Sequence, residues 1–325
     1  MDADQGVEYG AHMPLIDLGT GRSLAALRAY VRAAAGLGYR YLCANDHLLF
    51  DRPWLDGPTA LAALLEESGD MRLATTASLP VLRGPIQLAK TLAAIDLLSG
   101  GRLVAGVDPG SSAADYAAAG IDFQERWPRF EEAVQMLRVL LQGDAAGFEG
   151  QFYSASGVVL EPRPAQRPGP PIWVASWGSP AGLRRVARLG DGWLASAYNT
   201  TPDRFRNGLD LLAKERRRLG KVAAFPSAIA TTWLYVTEDK GVAQRVLTEA
   251  LAPMLHRSAG ELDSAMLLIG PAEVCAERLA AFLGAGARRI FVWPWATRCG
   301  SWSCSASASS PSSHPDRSDA VMRLS

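Results

Sequence analysis

The stretch Pro85–Gly110 reads PIQLAKTLAAIDLLSGGRLVAGVDPG. Leucine and isoleucine recur at helical spacing in its first half, which predicts a helix over Gln87–Leu98. Gly100 and Gly101 end that helix, the apolar stretch Arg102–Val107 follows as a strand, and a loop of small residues begins at Asp108. Such a step is typical of a parallel α/β sheet, which binds ligands at the carboxyl ends of its strands.

The same alternation of apolar strands and helical patterns continues outward from this stretch. Eight strands with helices between them predict a (β/α)8 TIM barrel, with a doubly wound open sheet as the alternative. No Gly-x-Gly-x-x-Gly follows the first strand, which argues against a dinucleotide fold. The seven further predicted strands are Tyr9–Asp17, Tyr39–Ala44, Met71–Leu79, Pro171–Ser176, Asp191–Ser196, Ser227–Thr237 and Arg289–Trp293.

One segment between the fourth and fifth strands departs from this alternation. Helical patterns near Ala113–Ala119 and over Gln124–Leu141 precede residues 148–164, which alternate and turn like a hairpin. A proline-rich connector, Pro162–Pro171, leads to the next strand. The sequence therefore predicts an insertion of helices plus a hairpin after strand four.

Composition restricts the classes of partner. The chain has 325 residues with 33 basic and 33 acidic side chains, so its formal charge is zero. That balance argues against nucleic acid or an anionic membrane as a partner. Neither a signal peptide nor a long apolar run stands out. We expect a cytoplasmic protein that acts on a small molecule, with a homodimer left open as its assembly.

The composition changes at residue 296, which divides the chain into a barrel domain (1–295) and a Ser-rich tail (296–325). The tail has few aliphatic residues to bury, so we expect it to be disordered. Codons that encode Ala296–Ser310 can also encode an amphipathic helix in another reading frame. The tail is therefore interpreted as a frameshifted form of the barrel's closing helix. Despite Cys299, Cys304 and His314, we expect no metal site.

Two histidines belong to predicted strands or to the residues after them, where barrels place their active sites. His47 comes directly after the second strand, and an imidazole there can exchange a proton near neutral pH. Its neighbour Asp46 either orients it or caps the next segment. His12, in the first strand, would lie beside His47 if both side chains point to the barrel mouth.

The fifth strand ends in Ser176-Trp177-Gly178-Ser179, directly before a helix that begins with Pro180. A helix start of this kind has free backbone N–H groups, and glycine lets a ligand approach them. It is suited to one phosphate, although plain capping by Ser179 is the alternative. Aromatic residues near the strand ends favour a planar ligand: Trp54, Trp177, Trp193, Tyr198, Trp293 and Trp295.

Several motifs together are typical of one family. They are Ala44-Asn45-Asp46-His47, the stretch Pro85–Gly110, Glu161–Pro164, Pro171–Val174, Gly178 with its helix, and Gly190–Trp193. From about Tyr9 to Pro294 the chain resembles the bacterial luciferase-like flavin-dependent oxidoreductases. More narrowly, it resembles the branch that uses the deazaflavin coenzyme F-420.

The resemblance implies a barrel with an insertion after strand four and hydride transfer at a cofactor ring beside His47, with Asp46 next to it. It also implies a non-proline cis peptide between Thr76 and Ala77 behind the ring. We expect the remaining cofactor contacts at Asp108, Gly110, Ser176, Trp177, Gly178 and Ser179. We expect substrate contacts at His12, Trp54, Tyr198 and Trp293.

Two residues depart from the family pattern. Asp108 replaces the middle glycine of the usual Gly-Val-Gly-x-Gly loop, where its carboxylate would repel an anionic cofactor or bind substrate. Ser111 stands where some deazaflavin-dependent dehydrogenases carry a glutamate proton donor.

Three functions remain open from the sequence. The first is an oxidoreductase that transfers hydride between coenzyme F-420 and a small organic substrate. The second is a monooxygenase that uses FMN and molecular oxygen. The third belongs to another class, a non-catalytic barrel that binds flavin or serves as a subunit.

Overall fold

The computed structural model of the chain describes residues 6–17, 23–144 and 147–295. The Ser-rich tail, residues 296–325, lies outside the described residues. The predictions that it is disordered, that it is a frameshifted helix and that its cysteines bind no metal fall there with it.

Short apolar strands form the inner layer of the fold. They are β1 (Glu8–His12), β2 (Tyr41–Ala44), β3 (Arg72–Thr75), β4 (Leu103–Val107), β5 (Ile172–Ser176), β6 (Gly192–Ser196), β7 (Ser227–Val236), β8 (Leu268–Gly270) and β9 (Arg289–Pro294). All of their pairings are parallel. Strands β1 to β7 pair in order, and β9 pairs with both β7 and β1, which closes an eight-stranded ring. The predicted TIM barrel is confirmed.

Helices surround this ring. In chain order they are α1 (Leu24–Gly36), α2 (Gly57–Ala63), α3 (Pro80–Arg83), α4 (Pro85–Leu98), α5 (Ala113–Ala118), α6 (Arg126–Gln142), α7 (Pro180–Leu189), α8 (Pro202–Arg218), α9 (Lys240–Arg245), α10 (Ala252–Leu255), α11 (Ala259–Ser264) and α12 (Ala272–Gly284). Many begin at a side-chain cap, as the sequence predicts for Ser23 and Ser179, which accept the N–H groups of Ala26 and Gly182.

The predicted insertion lies between β4 and β5. It contains α5, a 3₁₀ turn over Phe123–Glu125 and α6, followed by a turn with one antiparallel bridge, between Glu149 and Ser154. Helix α6 also packs against α4 and α7, so it occupies a place in the outer ring of the barrel.

Two apolar layers hold the barrel together. Inside the ring, Tyr41, Trp173 and Phe291 are fully buried and contact one another, with ring centroids 5.0 to 6.5 Å apart. Outside the ring, alternate strand residues pack against the apolar faces of the helices. The inner layer fills the barrel toward the amino-terminal ends of the strands, and the carboxyl ends remain open for a site.

The junction of β3 and β4 shapes the backbone at the barrel mouth. Gly106 allows the two strands to approach closely, because a Cβ at this position would collide with the Thr75 carbonyl oxygen. The Thr75 hydroxyl donates to the carbonyl of Gly106 at 2.7 Å. The peptide bond between Thr76 and Ala77 is cis, which confirms its predicted position. Pairing with β4 resumes at Ser78, whose N–H donates to Gly106.

Several elements differ from the sequence predictions, β3 among them, which ends at Thr75 rather than at Leu79. Strand β1 ends at His12, and the chain beyond it forms an isolated bridge between Ile16 and Trp54. Strand β8, with three residues, pairs with the end of β7 outside the closed ring. The helical segment of residues 240–256 contains a π-helical turn and ends at His256 in a left-handed conformation (φ 50°).

Candidate active site

A cavity of about 960 Å³ opens at the carboxyl ends of the strands. The segments that follow β2, β3, β4, β5 and β6 line it, together with the chain after α10. Predicted site residues that line it are Asp46, His47, Trp54, Thr76, Ala77, Asp108, Gly110, Ser176, Trp177, Tyr198 and Trp293. Gly178, Ser179 and His12 do not line it.

His47 lies partly buried in the cavity wall between aromatic rings. Its ring centroid is 4.9 Å from that of Phe50 and 4.5 Å from that of Trp54. Burial lowers its pKa, and the carboxylates of Asp115 and Asp46 act in the opposite direction. The imidazole is therefore neutral near pH 7, so it can accept a proton from a ligand or donate one hydrogen bond to it.

Asp46 is committed to a different partner from His47. Its buried carboxylate accepts two hydrogen bonds from Arg83, which lies at the end of α3, and one from the N–H of Leu79. Arg83 also donates to Asp56, the N-cap residue of α2. The ion cluster thus fixes both ends of the segment that carries His47 and Trp54, which makes Asp46 and Arg83 positioning residues.

Asp115 on α5 is a further acidic neighbour of His47. It is buried, and its Oδ1 accepts the N–H of Leu49 at 3.1 Å. The bond ties the insertion to the loop that carries His47. Sequence reasoning missed Asp115; its only local signal was the capping residue Ser112, whose Oγ accepts the N–H of Asp115.

His12 lies beneath the cavity rather than in its wall. It is fully buried, stacks on Trp293 at 5.3 Å between ring centroids, and its Nδ1 lies 3.4 Å from the Thr76 hydroxyl. Burial lowers its pKa to about 3. The Trp293 ring stacks on it, so the structure does not bring His12 into the cavity wall with the other residues expected to contact substrate. His12 is instead a neutral, buried imidazole that packs beneath Thr76.

A wall of aromatic rings forms one side of the cavity. Trp293 meets Trp54 edge to face at 5.6 Å and stacks on Trp233 at 4.5 Å. The indole N–H of Trp233 donates to the Tyr198 hydroxyl. Ala77, Ala175, Leu194 and Ala230 add apolar surface to the lining. Apolar walls with a few polar groups are typical of sites for planar organic ligands.

The start of α7 lies beside the cavity at Trp177. Gly178 has a φ of 87°, and its N–H donates to the Ser176 hydroxyl at 3.2 Å. The first backbone bond of α7 runs from Leu183 to Ser179, so the N–H groups of residues 179 and 181 precede it. These two amides, rather than that of Gly178, are available to an anion.

A basic side chain stands at the rim of the cavity. The Arg257 guanidinium lies 5.9 Å from the Trp177 ring centroid and 5.3 Å from that of Tyr198. Nearby, the exposed side chains of His256 and Asp51 are joined at 2.7 Å across the opening. Arg257 was not singled out from the sequence, where nothing distinguished it from other surface arginines.

Two buried polar atoms of the lining residues have no hydrogen-bond partner within the described chain: Asn45 Oδ1, an acceptor, and Trp54 Nε1, a donor. Unpaired buried polar atoms are rare unless a ligand or water meets them. They suit the polar edge of a flavin or deazaflavin ring, whose apolar face fits the aromatic wall. The residues present therefore fit such a cofactor.

The family follows from comparison with known proteins. The family model described as luciferase-like monooxygenase matches residues 11–289. That range covers most of the chain and all of the cavity-lining residues named above except Trp293. The chain belongs to the luciferase-like monooxygenase family.

Curated relatives point to one cofactor class. The F-420-dependent hydroxymycolic acid dehydrogenase of Mycobacterium tuberculosis is 29% identical over 251 residues, 73% of this chain and 64% of that protein. The F-420-dependent glucose-6-phosphate dehydrogenase of Amycolatopsis mediterranei is 29% identical over 179 residues, 52% of each. The chain thus spans between 52% and 64% of the length of these two relatives.

Among solved structures, monooxygenase RslO1 from Streptomyces bottropensis has the same fold. Its TM-score is 0.77 at 24% identity, with 88% of this chain and 92% of that chain covered. At this identity the likeness concerns the fold alone.

Membrane-spanning helices and clusters of metal-binding side chains are both absent from the described residues. Among them, no helix has the length and apolar character needed to cross a bilayer. In the same residues, no group of three or more His, Cys, Asp or Glu side chains lies close enough together to hold a metal ion.

Proposed function

We propose that this chain is an oxidoreductase that binds the deazaflavin coenzyme F-420 in the cavity and transfers hydride between it and a small organic substrate. The observation that carries the proposal is the cavity itself. It combines an aromatic wall, a neutral histidine and two unpaired polar atoms at the carboxyl ends of barrel strands. The F-420-dependent activities named for the two curated relatives support the same cofactor.

Each part of the site has a physical task in this proposal. The cofactor supplies a ring carbon that accepts or gives hydride when it is bound. The backbone at Thr76 and Ala77 supports one face of the ring, and Asn45 and Trp54 hydrogen-bond its polar edge. The amides of residues 179 and 181 hold a phosphate at the start of α7. His47, neutral in its aromatic surroundings, exchanges a proton or a hydrogen bond with the ligand.

A second candidate is a monooxygenase that uses FMN and molecular oxygen. The helix start at Ser179 favours it equally, because FMN also carries a phosphate beside a flat ring. A third candidate is the non-catalytic barrel, favoured by the carboxylate of Asp108 in a place where an anionic cofactor would meet it.

Titration of the pure protein separates these candidates. Either cofactor is added in steps while its fluorescence is followed. We expect saturable binding of the deazaflavin, tighter than that of FMN by about tenfold or more, which corresponds to about 1.4 kcal/mol. Binding of FMN alone would support the monooxygenase, and binding of neither would support the non-catalytic barrel.

A pair of variants tests whether the cofactor binds in the cavity. Asn45→Leu removes the unpaired acceptor with little change in volume, so we expect about tenfold weaker cofactor binding, the usual effect of one lost hydrogen bond. Asn207→Leu, at an exposed position on α8, is the matched control and should bind as the unaltered chain does. Equal affinities of the two variants would place the cofactor elsewhere.

A further inference from the structure

Asp108 is a carboxylate built into the cavity wall. It follows β4 directly, and its N–H donates to the carbonyl of Ser78 at 3.0 Å. Its Oδ1 accepts the N–H of Gly110 at 2.8 Å, across the turn at Pro109. Backbone and side chain are therefore held on both sides, and the carboxyl group lines the cavity.

No basic side chain within the described part of the chain pairs with Asp108. The other acidic side chains of the cavity each bind another residue: Asp46 binds Arg83, Asp51 binds His256, and Asp115 accepts the N–H of Leu49. Glu261 accepts hydrogen bonds from Ser258. A carboxylate that no cation holds in its charged form can change its protonation state when a ligand arrives.

Burial shifts the pKa values of Asp108 and His47 toward each other. Burial raises the pKa of Asp108 to about 6, and the hydrogen bond from Gly110 acts in the opposite direction. Burial lowers the pKa of His47. The charged and titratable groups that share this cavity with Asp108 are Asp46, His47, Asp51, Asp115, Tyr198, His256, Arg257 and Glu261, and Tyr116 lies against Pro109. Burial, rather than any of these charges, sets the shift of Asp108.

We propose that Asp108 is the carboxyl group that exchanges a proton with the substrate oxygen, and that the substrate is an uncharged alcohol or its carbonyl counterpart. The substrate class rests on the proposed oxidoreductase function. The assignment of Asp108 rests on its place in the cavity and on the absence of a paired cation. An amine substrate fits less well, because its ammonium group would hold the carboxylate permanently ionised.

The step balances in both directions. In oxidation, the C–H bond of the alcohol breaks with its electron pair, which goes to the oxidised deazaflavin as hydride. The O–H bond breaks toward the ionised carboxylate of Asp108, which becomes a carboxylic acid, and a C=O double bond forms. In reduction, the carbonyl carbon would take hydride from the reduced deazaflavin, and the acid form of Asp108 would give its proton to the oxygen.

Carbon-13 NMR of side-chain carboxyl groups tests this in the full-length protein without any cofactor. Labelled aspartate resonances are followed from about pH 4 to about pH 8. We expect one resonance with a midpoint near pH 6, absent from Asp108→Asn. Asparagine preserves the shape and the bond from Gly110. Asp203→Asn, at an exposed ion pair on α8, is the matched control and should remove a different resonance.

Two uncharged probes test contact with a substrate oxygen. Cyclohexanone accepts a hydrogen bond from the acid form and should raise the midpoint by about half a pH unit. Cyclohexanol donates one to the carboxylate and should lower it by about as much. A midpoint near the ordinary aspartate value of about 4, equal shifts with both probes, or no shift with either would overturn the proposal.

Turnover gives an independent result once the cofactor is bound. Asp108→Asn should bind the deazaflavin within about threefold of the unaltered chain. Its kcat/KM for an alcohol should fall about 100-fold, which is the lower end of what one acid–base group contributes. An unchanged rate would overturn the proposal. If the unaltered chain binds neither cofactor, the oxidoreductase function fails, whereas the carboxyl titration still decides the assignment of Asp108.

Discussion

The Arg83 guanidinium donates two hydrogen bonds to the Asp46 carboxylate, from Nε to Oδ2 at 2.5 Å and from Nη2 to Oδ1 at 2.6 Å. Such paired, charge-assisted bonds fix orientation as well as distance. Because Asp46 precedes His47 and Arg83 closes α3, the pair joins the segments after β2 and β3. The place of His47 in the cavity therefore depends on a residue 36 positions later in the chain.

Removal of Arg83 should destabilise the fold around the His47 segment. Arg83→Met leaves the buried Asp46 carboxylate without its cation, so we expect the free energy of unfolding to fall by about 3 kcal/mol. Urea unfolding measures this. Arg206→Met, at an exposed ion pair on α8, is the control and should change it by about 0.5 kcal/mol or less. Equal effects of the two variants would show that the Arg83 pair holds nothing in place.

His47→Ala should separate binding from turnover. The alanine variant removes the proton-exchanging imidazole but neither the polar edge contacts nor the phosphate site. We expect turnover to fall about 100-fold or more while the dissociation constant of the cofactor changes by about threefold or less. Steady-state rates and fluorescence titration measure the two effects. A loss of binding with unchanged turnover would give His47 a purely structural role.

Gly178→Ala tests the phosphate position. Gly178 has a left-handed φ of 87°, which costs a residue with a Cβ about 1 kcal/mol. A Cβ there would still find room, since the nearest atom outside the adjacent residues, on Trp193, lies 3.9 Å away. Because alanine strains the backbone that places the amides of residues 179 and 181, we expect slightly lower stability and about tenfold weaker binding of a phosphorylated cofactor. Riboflavin, which has no phosphate, is the control ligand, and an equal loss of its binding would contradict the position.

His12 should make the stability depend on pH. Its pKa is about 3 in the folded chain and about 6.5 when unfolded, so between these values the unfolded chain binds the extra proton. Stability from this group is therefore lost as the pH falls below about 6.5. From pH 7 to pH 5 the unaltered chain should lose about 2 kcal/mol more than His12→Gln. The same pH dependence in both would mean that His12 takes up a proton in the folded chain as readily as in the unfolded chain.

Arg257 should matter to anionic ligands only. The guanidinium stands at the rim over Trp177 and Tyr198, so Arg257→Gln should weaken binding of an anionic cofactor by a few-fold at low salt. The difference should shrink as salt is added, because the site is open to solvent. Binding of uncharged riboflavin is the internal control. A salt-independent loss would indicate that Arg257 supports the fold of the rim rather than the charge of the ligand.

Much of the site could be predicted from strand ends. Asp108 follows β4 directly, His47 lies three residues after β2, and Ser176 ends β5. The closure of a parallel barrel brings all of these strand ends to one mouth. The position of the cis peptide at Thr76 came from the family resemblance and is confirmed. These features depend on the position of a residue relative to the end of its strand, which can be read from the sequence.

The remaining features depend on which side chains meet across the fold. Arg83 and Asp115 reach the His47 segment from helices that are distant in sequence, and no spacing rule links them. The sequence left the place of His12 open, because the direction of its side chain decides whether it lines the mouth or faces the core, and in the structure it is fully buried. Strand β8 was missed because it has three residues, the last of them glycine, which is too short a run to show a strand pattern.

The most direct test of the central claim is the crystal structure of the full chain with oxidised deazaflavin bound. We expect the ring against Thr76 and Ala77, its polar edge at Asn45 and Trp54, and its phosphate at the amides of residues 179 and 181. A ring bound outside this cavity, or a phosphate elsewhere on the barrel, would contradict the account.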